Sequence, residues 1–211
     1  GAARVFLAWR FRRWSPWHLS LELEKREFRR LAKAARIRAA ATRGDAAEAL
    51  ARNVRQVLGQ PLPRVVSGYL AIDDEIDIGP LMSGLDADGA VNVLPVVVAK
   101  DAALVFRHWR PGVPLEVGPW NTQHPGPDSA EAVPDVLLVP MLAFDGDGYR
   151  IGWGGGFYDR TIATLRSQRP TLAIGVAYSG QRVDAVPRGD HDQPLDWVVT
   201  EEGSLEIGGA E

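Results

Sequence analysis

Apolar and polar positions fall in blocks along the 211-residue chain, and the blocks change period. From Leu21 to Ala41, "LELEKREFRRLAKAARIRAAA" is rich in helix formers and contains no Gly or Pro. Phe28, Leu31, Ala35 and Ile37 offer a narrow apolar stripe there, which predicts a helix packed on one face. "RGDAAEALARNVRQVLGQ" predicts a second helix, with Asp45 as N-cap and Gly59 as its stop. Strands are expected at "RVVSGYLAI", "AVNVLPVVV" and "ALVFRHW", with a short helix at "IDIGPLMSGLDADG" between the first two. Pro111 to Pro134 is rich in Pro and Gly without periodicity, so it reads as a long functional or disordered loop. "PDVLLVPMLAF" is almost unbroken apolar sequence, the pattern of a strand buried on both faces. A helix from about Phe157 to Ser167, the strand "TLAIGVAY" and a final strand "LDWVVT" complete the series. Strands alternating with helices predict a single three-layer α/β/α domain with a mainly parallel, Rossmann-like sheet.

Composition narrows this picture. Hydrophobic residues make up 45% and charged residues 24%, ordinary for a soluble globular chain. A net charge of -3 argues against general nucleic-acid binding. The absence of cysteine excludes disulfides and thiolate chemistry. No apolar run approaches the roughly 20 residues of a membrane span. The opening "GAARVFLAWRFRRWSPWHLS" has no acid and several Arg and Trp residues. It reads as a poorly ordered extension over 1–20, ahead of a domain over 21–205 and an acidic tail over 206–211. A targeting leader or a surface-binding arm would have the same composition. An RNA- or membrane-associated protein using "WRFRRW" is a further reading, since Arg and Trp can contact phosphates and stack on bases; the net charge opposes it. The expectation is a cytoplasmic monomer with small-molecule ligands, no nucleic-acid partner and no membrane.

Chemistry concentrates in "GYRIGWGGGFYDR", residues 148–160. The segment follows the most apolar strand and precedes a helix, where α/β sheets bind ligands. Gly152, Gly154, Gly155 and Gly156 would let backbone N–H groups approach a phosphate, aided by the positive end of the following helix. A dinucleotide fingerprint would need glycine where Phe157 stands, and a P-loop would need G-K-[ST]. The residues alone therefore leave two readings, a nucleotide cradle or a strained bend with Tyr158 in the core and Asp159 offsetting the helix dipole. Phe157 and Tyr158 could stack on a flat ligand, Arg150 suits phosphate, and Asp159 could serve Mg²⁺.

"PMLAFDGDGYRIGWGGGFYDR" resembles the signature of the 5-formyltetrahydrofolate cyclo-ligase family, in which an arginine is followed by a G-x-G-x-G turn and aromatic-Tyr-Asp. "KREFR" at 25–29, "YLAIDDEIDIGPLM", "VNVLPVV" and "GVAYSGQRVDAVPRGDHDQPLDWVVT" resemble further blocks of that family in the same order. The likeness runs from about Lys25 to Glu201. It implies closure of the 5-formyl group of a reduced folate onto N10, with ATP and Mg²⁺. Phosphorylation of the formyl oxygen would make it a good leaving group.

The resemblance also implies roles for residues. Lys25 and Arg29, four apart on one helix face, would reach ATP phosphates, although without it they read as part of a solvated basic face. Arg150, Gly152, Gly154, Gly155, Gly156, Phe157 and Tyr158 would form the ATP cradle, with Arg150 and Tyr158 as catalytic residues. Leu70, Glu75, Trp120 and Trp153, with Gly154 to Phe157 of the turn, would contact folate. Asp159 and Asp192 would hold Mg²⁺. By themselves Glu75 belongs to an acidic loop, Asp192 to a turn, and Trp120 could simply pin a loop. Some members carry basic residues inside the turn where this chain has Trp153 and Gly155, which shifts phosphate contact towards backbone N–H groups. A non-catalytic folate- or nucleotide-binding relative of the same fold is the alternative reading.

Overall fold

A computed structural model describes residues 18–42 and 44–208. In chain order the elements are α1 (His18–Ala40), α2 (Ala46–Leu58), β1 (Val65–Ser67), α3 (Gly79–Ala87), β2 (Val91–Val96), β3 (Val105–His108), β4 (Leu115–Val117) and β5 (Gln123–Pro125). There follow β6 (Val136–Pro140), β7 (Ala143–Phe144), β8 (Arg150–Ile151), α4 (Phe157–Gln168), β9 (Leu172–Val176), β10 (Trp197–Thr200) and β11 (Gly203–Glu206). Seven strands form one sheet in the order β11-β10-β9-β6-β1-β2-β3. The five inner strands are parallel, and β3 and β11 close the edges antiparallel.

Strand β6 shows why the sheet is central. Val136 and Leu138 belong to the cluster under α2 and α3, while Leu137 and Val139 belong to the cluster under α4. Period-two alternation of two apolar sets produces the unbroken apolar run and gives the α/β/α layering. Helix α2 follows simple rules: Ala46, Ala49, Leu50 and Val54 are buried on one face. Glu48 lies in its first turn and Arg55 in its last, each favourable to the helix dipole. Asp45 stands at the N-cap position but makes no side-chain capping bond, and Gly59 ends the helix at φ 64.

Five local expectations change. The apolar stripe of α1 is only partly the packed face: Phe28 packs inward, but Leu31 and Ile37 are 40% and 49% exposed, whereas Lys25, Ala32 and Arg36 are buried. The first strand stops at Ser67, because the following apolar residues pack from a loop; Tyr69 is buried and donates its hydroxyl hydrogen to the Ile76 carbonyl. The run after Pro140 leaves the sheet, and β7 pairs with β8 in a separate antiparallel ribbon. Buried Asp145 organises that ribbon's turn by accepting the N–H groups of Asp147 and Tyr149. Finally, 111–134 contains the ribbon β4–β5, whose tip is turned by Trp120 and Asn121 at φ 56 and 59. A further strand, β11, follows the one expected to be last, and Ile207 packs on the α4-side cluster. Residues 1–17 of the expected extension, with "WRFRRW", and 209–211 of the acidic tail lie outside the described residues. Among the described residues no helix is long and apolar enough to cross a membrane.

The chain leaves β1 towards β2 on one side and β6 towards β9 on the other, so the strand order switches direction between β1 and β6. Crevices beyond the carboxyl ends at such a point are the ligand sites of open α/β sheets. The segments leaving those ends are 68–78 and 141–156. Helix α1 meets them: Ala32 and Phe28 pack with Leu142, Ala143, Ile151 and Val186.

Candidate functional site

The stripe of α1 that turns inward is 25, 28, 29, 32 and 36, the spacing of one helical face. Three of its five positions are cations. Eleven residues separate Lys25 from Arg36, a rise of about 16 Å, and the helix thereby serves two groups of side chains at the ends of the glycine turn.

At the first end, Lys25 Nζ donates to Asp192 Oδ2 at 2.6 Å, and the Gly189 N–H donates to the same oxygen at 2.7 Å. Arg150 is nearly enclosed, with its side chain 5% exposed. Its Nη2 donates to Asp159 Oδ1 at 2.8 Å and its Nη1 to the Gln193 carbonyl at 2.6 Å. The Gln193 N–H closes the loop by donating to Asp159 Oδ1 at 3.0 Å. Burial opposes the Arg150 charge and pulls its ionisation below the usual guanidinium range, while Asp159 and Asp192 support it. Both carboxylates thus bond through one oxygen each, leaving Asp159 Oδ2 and Asp192 Oδ1 without a protein hydrogen bond among the described residues. Mg²⁺ is commonly held by one or two carboxylates plus phosphate oxygens and water, and this donor set fits that use.

The turn itself joins the two ends. Arg29 Nε donates to the Gly152 carbonyl at 3.1 Å, and Arg160 Nη2 to the Gly155 carbonyl at 2.7 Å. Gly154 has φ 100, a backbone conformation that favours glycine, and a Cβ there would lie 3.0 Å from Arg29 Cζ and press on its guanidinium. The Gly152 and Gly155 carbonyls are thus engaged by arginines, while the N–H groups of Trp153, Gly154, Gly155 and Gly156 donate to no protein acceptor among the described residues. Gly156 is the N-cap of α4, whose first turn carries Asp159. Consecutive free N–H groups running into a helix N-terminus form an anion-binding concavity.

At the second end, Glu75 is buried. Its Oε2 accepts the Ile72 N–H at 3.0 Å, and its Oε1 lies 3.4 Å from both Trp153 Nε1 and Arg36 Nη1. Burial pushes its ionisation above the ordinary carboxylate range, only partly offset by the Ile72 N–H and Arg36. Tyr158 and Tyr69 are pushed upward too, by burial first and then by the Glu75 charge, so both remain neutral phenols at ordinary pH. The Tyr158 hydroxyl makes no hydrogen bond among the described residues. Lys33 and Arg36 lie 5.1 and 5.2 Å from the Trp153 ring centroid. Leu70, with Ala71, Ile72, Asp73, Asn121 and Gln123, lines a cleft of about 270 Å³. Trp120, 67% exposed at the ribbon tip, meets Phe157 edge-on with ring centroids 5.6 Å apart.

The structure therefore brings Lys25, Arg29, Arg150, Asp159 and Asp192 to one end and Glu75 and Trp153 to the other, sets Tyr158 within reach of the charges of both Glu75 and Arg150, and brings Trp120 to Phe157. Leu70 lies on the cleft between the β1 loop and the ribbon. Sequence reasoning missed Arg36, Lys33 and Asp74. The signal was present: Arg36 stands seven after Arg29 and eleven after Lys25, on the same helix face.

The 5-formyltetrahydrofolate cyclo-ligase family profile matches residues 22–201. A 5-formyltetrahydrofolate cyclo-ligase of Escherichia coli K12 is 35% identical over 144 residues, 66% of this chain and 79% of that protein. The Haemophilus influenzae cyclo-ligase is 28% identical over 155 residues, covering 71% and 82%. The solved 5,10-methenyltetrahydrofolate synthetase of Aquifex aeolicus superposes with a TM-score of 0.71 at 26% identity, over 89% of this chain and 94% of that one. The Mycoplasma pneumoniae synthetase shares the fold, with a TM-score of 0.66 at 21% identity, over 84% and 99%. The breadth of the family match and the identity to the bacterial proteins lead to one conclusion: this chain belongs to the 5-formyltetrahydrofolate cyclo-ligase family.

Proposed function

We propose that the protein closes the 5-formyl group of 5-formyltetrahydrofolate onto N10 with ATP, giving 5,10-methenyltetrahydrofolate, ADP and phosphate. Family membership supports the cyclo-ligase class. The observation that carries the fuller reading is the run of unpartnered N–H groups from Trp153 to Gly156, flanked by Lys25 and Arg29 and by the Asp159–Asp192 pair.

The chemistry is transfer of the terminal phosphoryl group of ATP to the formyl oxygen, attack of N10 on the formyl carbon, and departure of that oxygen with the phosphoryl group as hydrogen phosphate, which takes up the N10 proton. No covalent nucleophile is required, so positioning and electrostatics must supply the acceleration. The turn N–H groups and the start of α4 would hold phosphate oxygens, and Lys25 and Arg29 would add charge. Mg²⁺, when bound, would neutralise phosphate charge, held by Asp159 and Asp192. Arg150 would act through Asp159, fixing that carboxylate rather than touching substrate. Tyr158, kept as a neutral phenol, would offer an O–H to an oxygen in the cradle. Glu75, Trp153 and Leu70 would seat the folate ring, with Trp120 and Phe157 as aromatic walls.

The test is absorbance of methenyl-folate on mixing the protein with 5-formyltetrahydrofolate, ATP and Mg²⁺, with Asp159→Asn as control. Signal that requires ATP and collapses in the variant supports the reading. Folate binding by calorimetry without turnover would favour a non-catalytic relative. Absence of both would leave only the fold and family.

A further inference from the structure

Outside the roles just assigned, the most constrained charge is Arg36. It is 1% exposed, the most deeply buried cation among the described residues. Nε and Nη2 donate to the two oxygens of Asp74 at 2.7 and 3.3 Å, and Nη1 reaches Glu75 Oε1 at 3.4 Å. Its Cζ lies 5.2 Å from the Trp153 ring centroid. A buried ion is costly unless well paired, and an apolar side chain of similar size is often as stable. An arginine at this point of α1 therefore needs a reason beyond packing.

The bonds are unequal. Asp74 takes a two-pronged pair that offsets the Arg36 charge. Glu75 receives only long contacts on Oε1, from Arg36 and Trp153, while Oε2 is fixed by the Ile72 N–H. Glu75 is thus oriented without being neutralised, and Oε2, with a single donor, keeps a free lone pair.

We propose that Arg36 is a positioning residue for the folate end: bound to Asp74, it fixes the Glu75 carboxylate against the Trp153 ring and leaves Glu75 its charge. The Glu75 carboxylate is then poised to accept an N–H donor of a flat heterocycle lying against Trp153. This rests on the reading of Glu75 as a folate contact. The titratable and charged groups that act on Glu75 are Arg36 from α1, Tyr69 from its own segment and Tyr158 from α4; Asp74 is bound to Arg36, and Lys33 lies against the Trp153 ring.

The experiment is the pH profile of kcat/KM for 5-formyltetrahydrofolate in Arg36→Gln, Asp74→Asn and Glu75→Gln. The acid limb reports protonation of the free enzyme's essential carboxylate. Arg36→Gln removes a cation beside Glu75, so the limb should move to higher pH. The folate KM should rise about tenfold, the scale of a lost charge-assisted hydrogen bond, with the ATP KM unchanged. Asp74→Asn releases the Arg36 charge towards Glu75, so its limb should move to lower pH. A purely structural bracket would let water reach Glu75 in both variants and move both limbs downward, which overturns the proposal. Unmoved limbs alongside a raised folate KM in Glu75→Gln also overturn it. If Glu75→Gln itself leaves folate binding intact, the underlying reading of Glu75 fails instead. Should Arg36→Gln not fold, Arg36→Lys decides: a raised folate KM with unchanged ATP KM supports the proposal, and unchanged constants overturn it.

Discussion

Helices α1 and α2 lie side by side in sequence, yet they are built on opposite plans. On α2 the buried face is Ala46, Ala49, Leu50 and Val54, and it packs under the sheet. On α1 the inward face carries Lys25, Arg29 and Arg36, while Leu31 and Ile37 stand in solvent. Helix α2 stabilises the domain by burying apolar area. Helix α1 gives three of its five inward positions to charge because that face looks into the crevice beyond β1 and β6, with only Phe28 and Ala32 packing on an apolar cluster. A hydrophobic stripe locates packing; a cationic stripe of the same period locates a site.

Substitutions can break or sharpen this contrast. Leu50→Ala on α2 should cost about 2–5 kcal/mol of stability, the range for emptying a core position, with both KM values unchanged; denaturant melts and kinetics check it. Lys25→Met on α1 should lower kcat/KM about a hundredfold, as for loss of one preorganised charge donor. Its stability cost should be roughly 1–3 kcal/mol, since the pair with Asp192 is largely enclosed and the substitution leaves that carboxylate without its cation. Glu75→Gln should abolish tight folate binding and raise the melting temperature at pH 7. The sign follows from burial: the folded Glu75 ionises above its unfolded value, so stability is lost as pH rises through the folded pKa. Gln removes that loss, and the gain should vanish in acid. Ile37→Lys, at a position 49% exposed, should change stability by no more than about 0.5 kcal/mol. A packed apolar stripe would give several times that.

These contrasts explain what the sequence revealed. Strand β6 was legible because burial on both faces leaves no polar residue to interrupt it. The glycine turn was legible because φ 100 and a 3.0 Å approach by Arg29 leave glycine as the fitting choice at 154. The order of matching blocks carried the family. The ribbon β4–β5 was hidden because its tip uses left-handed Trp120 and Asn121, where glycine would have been the usual signal. The Asp-Gly repeat at 145–148 was a cue to the β7–β8 ribbon, but the apolar run before it continues without a break from β6 and reads as one strand. Arg36 was hidden by the habit of reading charge on a helix as solvated surface, although its spacing from Lys25 and Arg29 marked it.

The central claim is that one face of α1 serves two ends of a single site. The most direct test is to measure the KM of ATP and of 5-formyltetrahydrofolate in Arg29→Gln and Arg36→Gln. The account predicts a crossed result: Arg29→Gln raises the ATP constant alone, and Arg36→Gln raises the folate constant alone. Both variants raising both constants equally, or the pattern reversed, would contradict it.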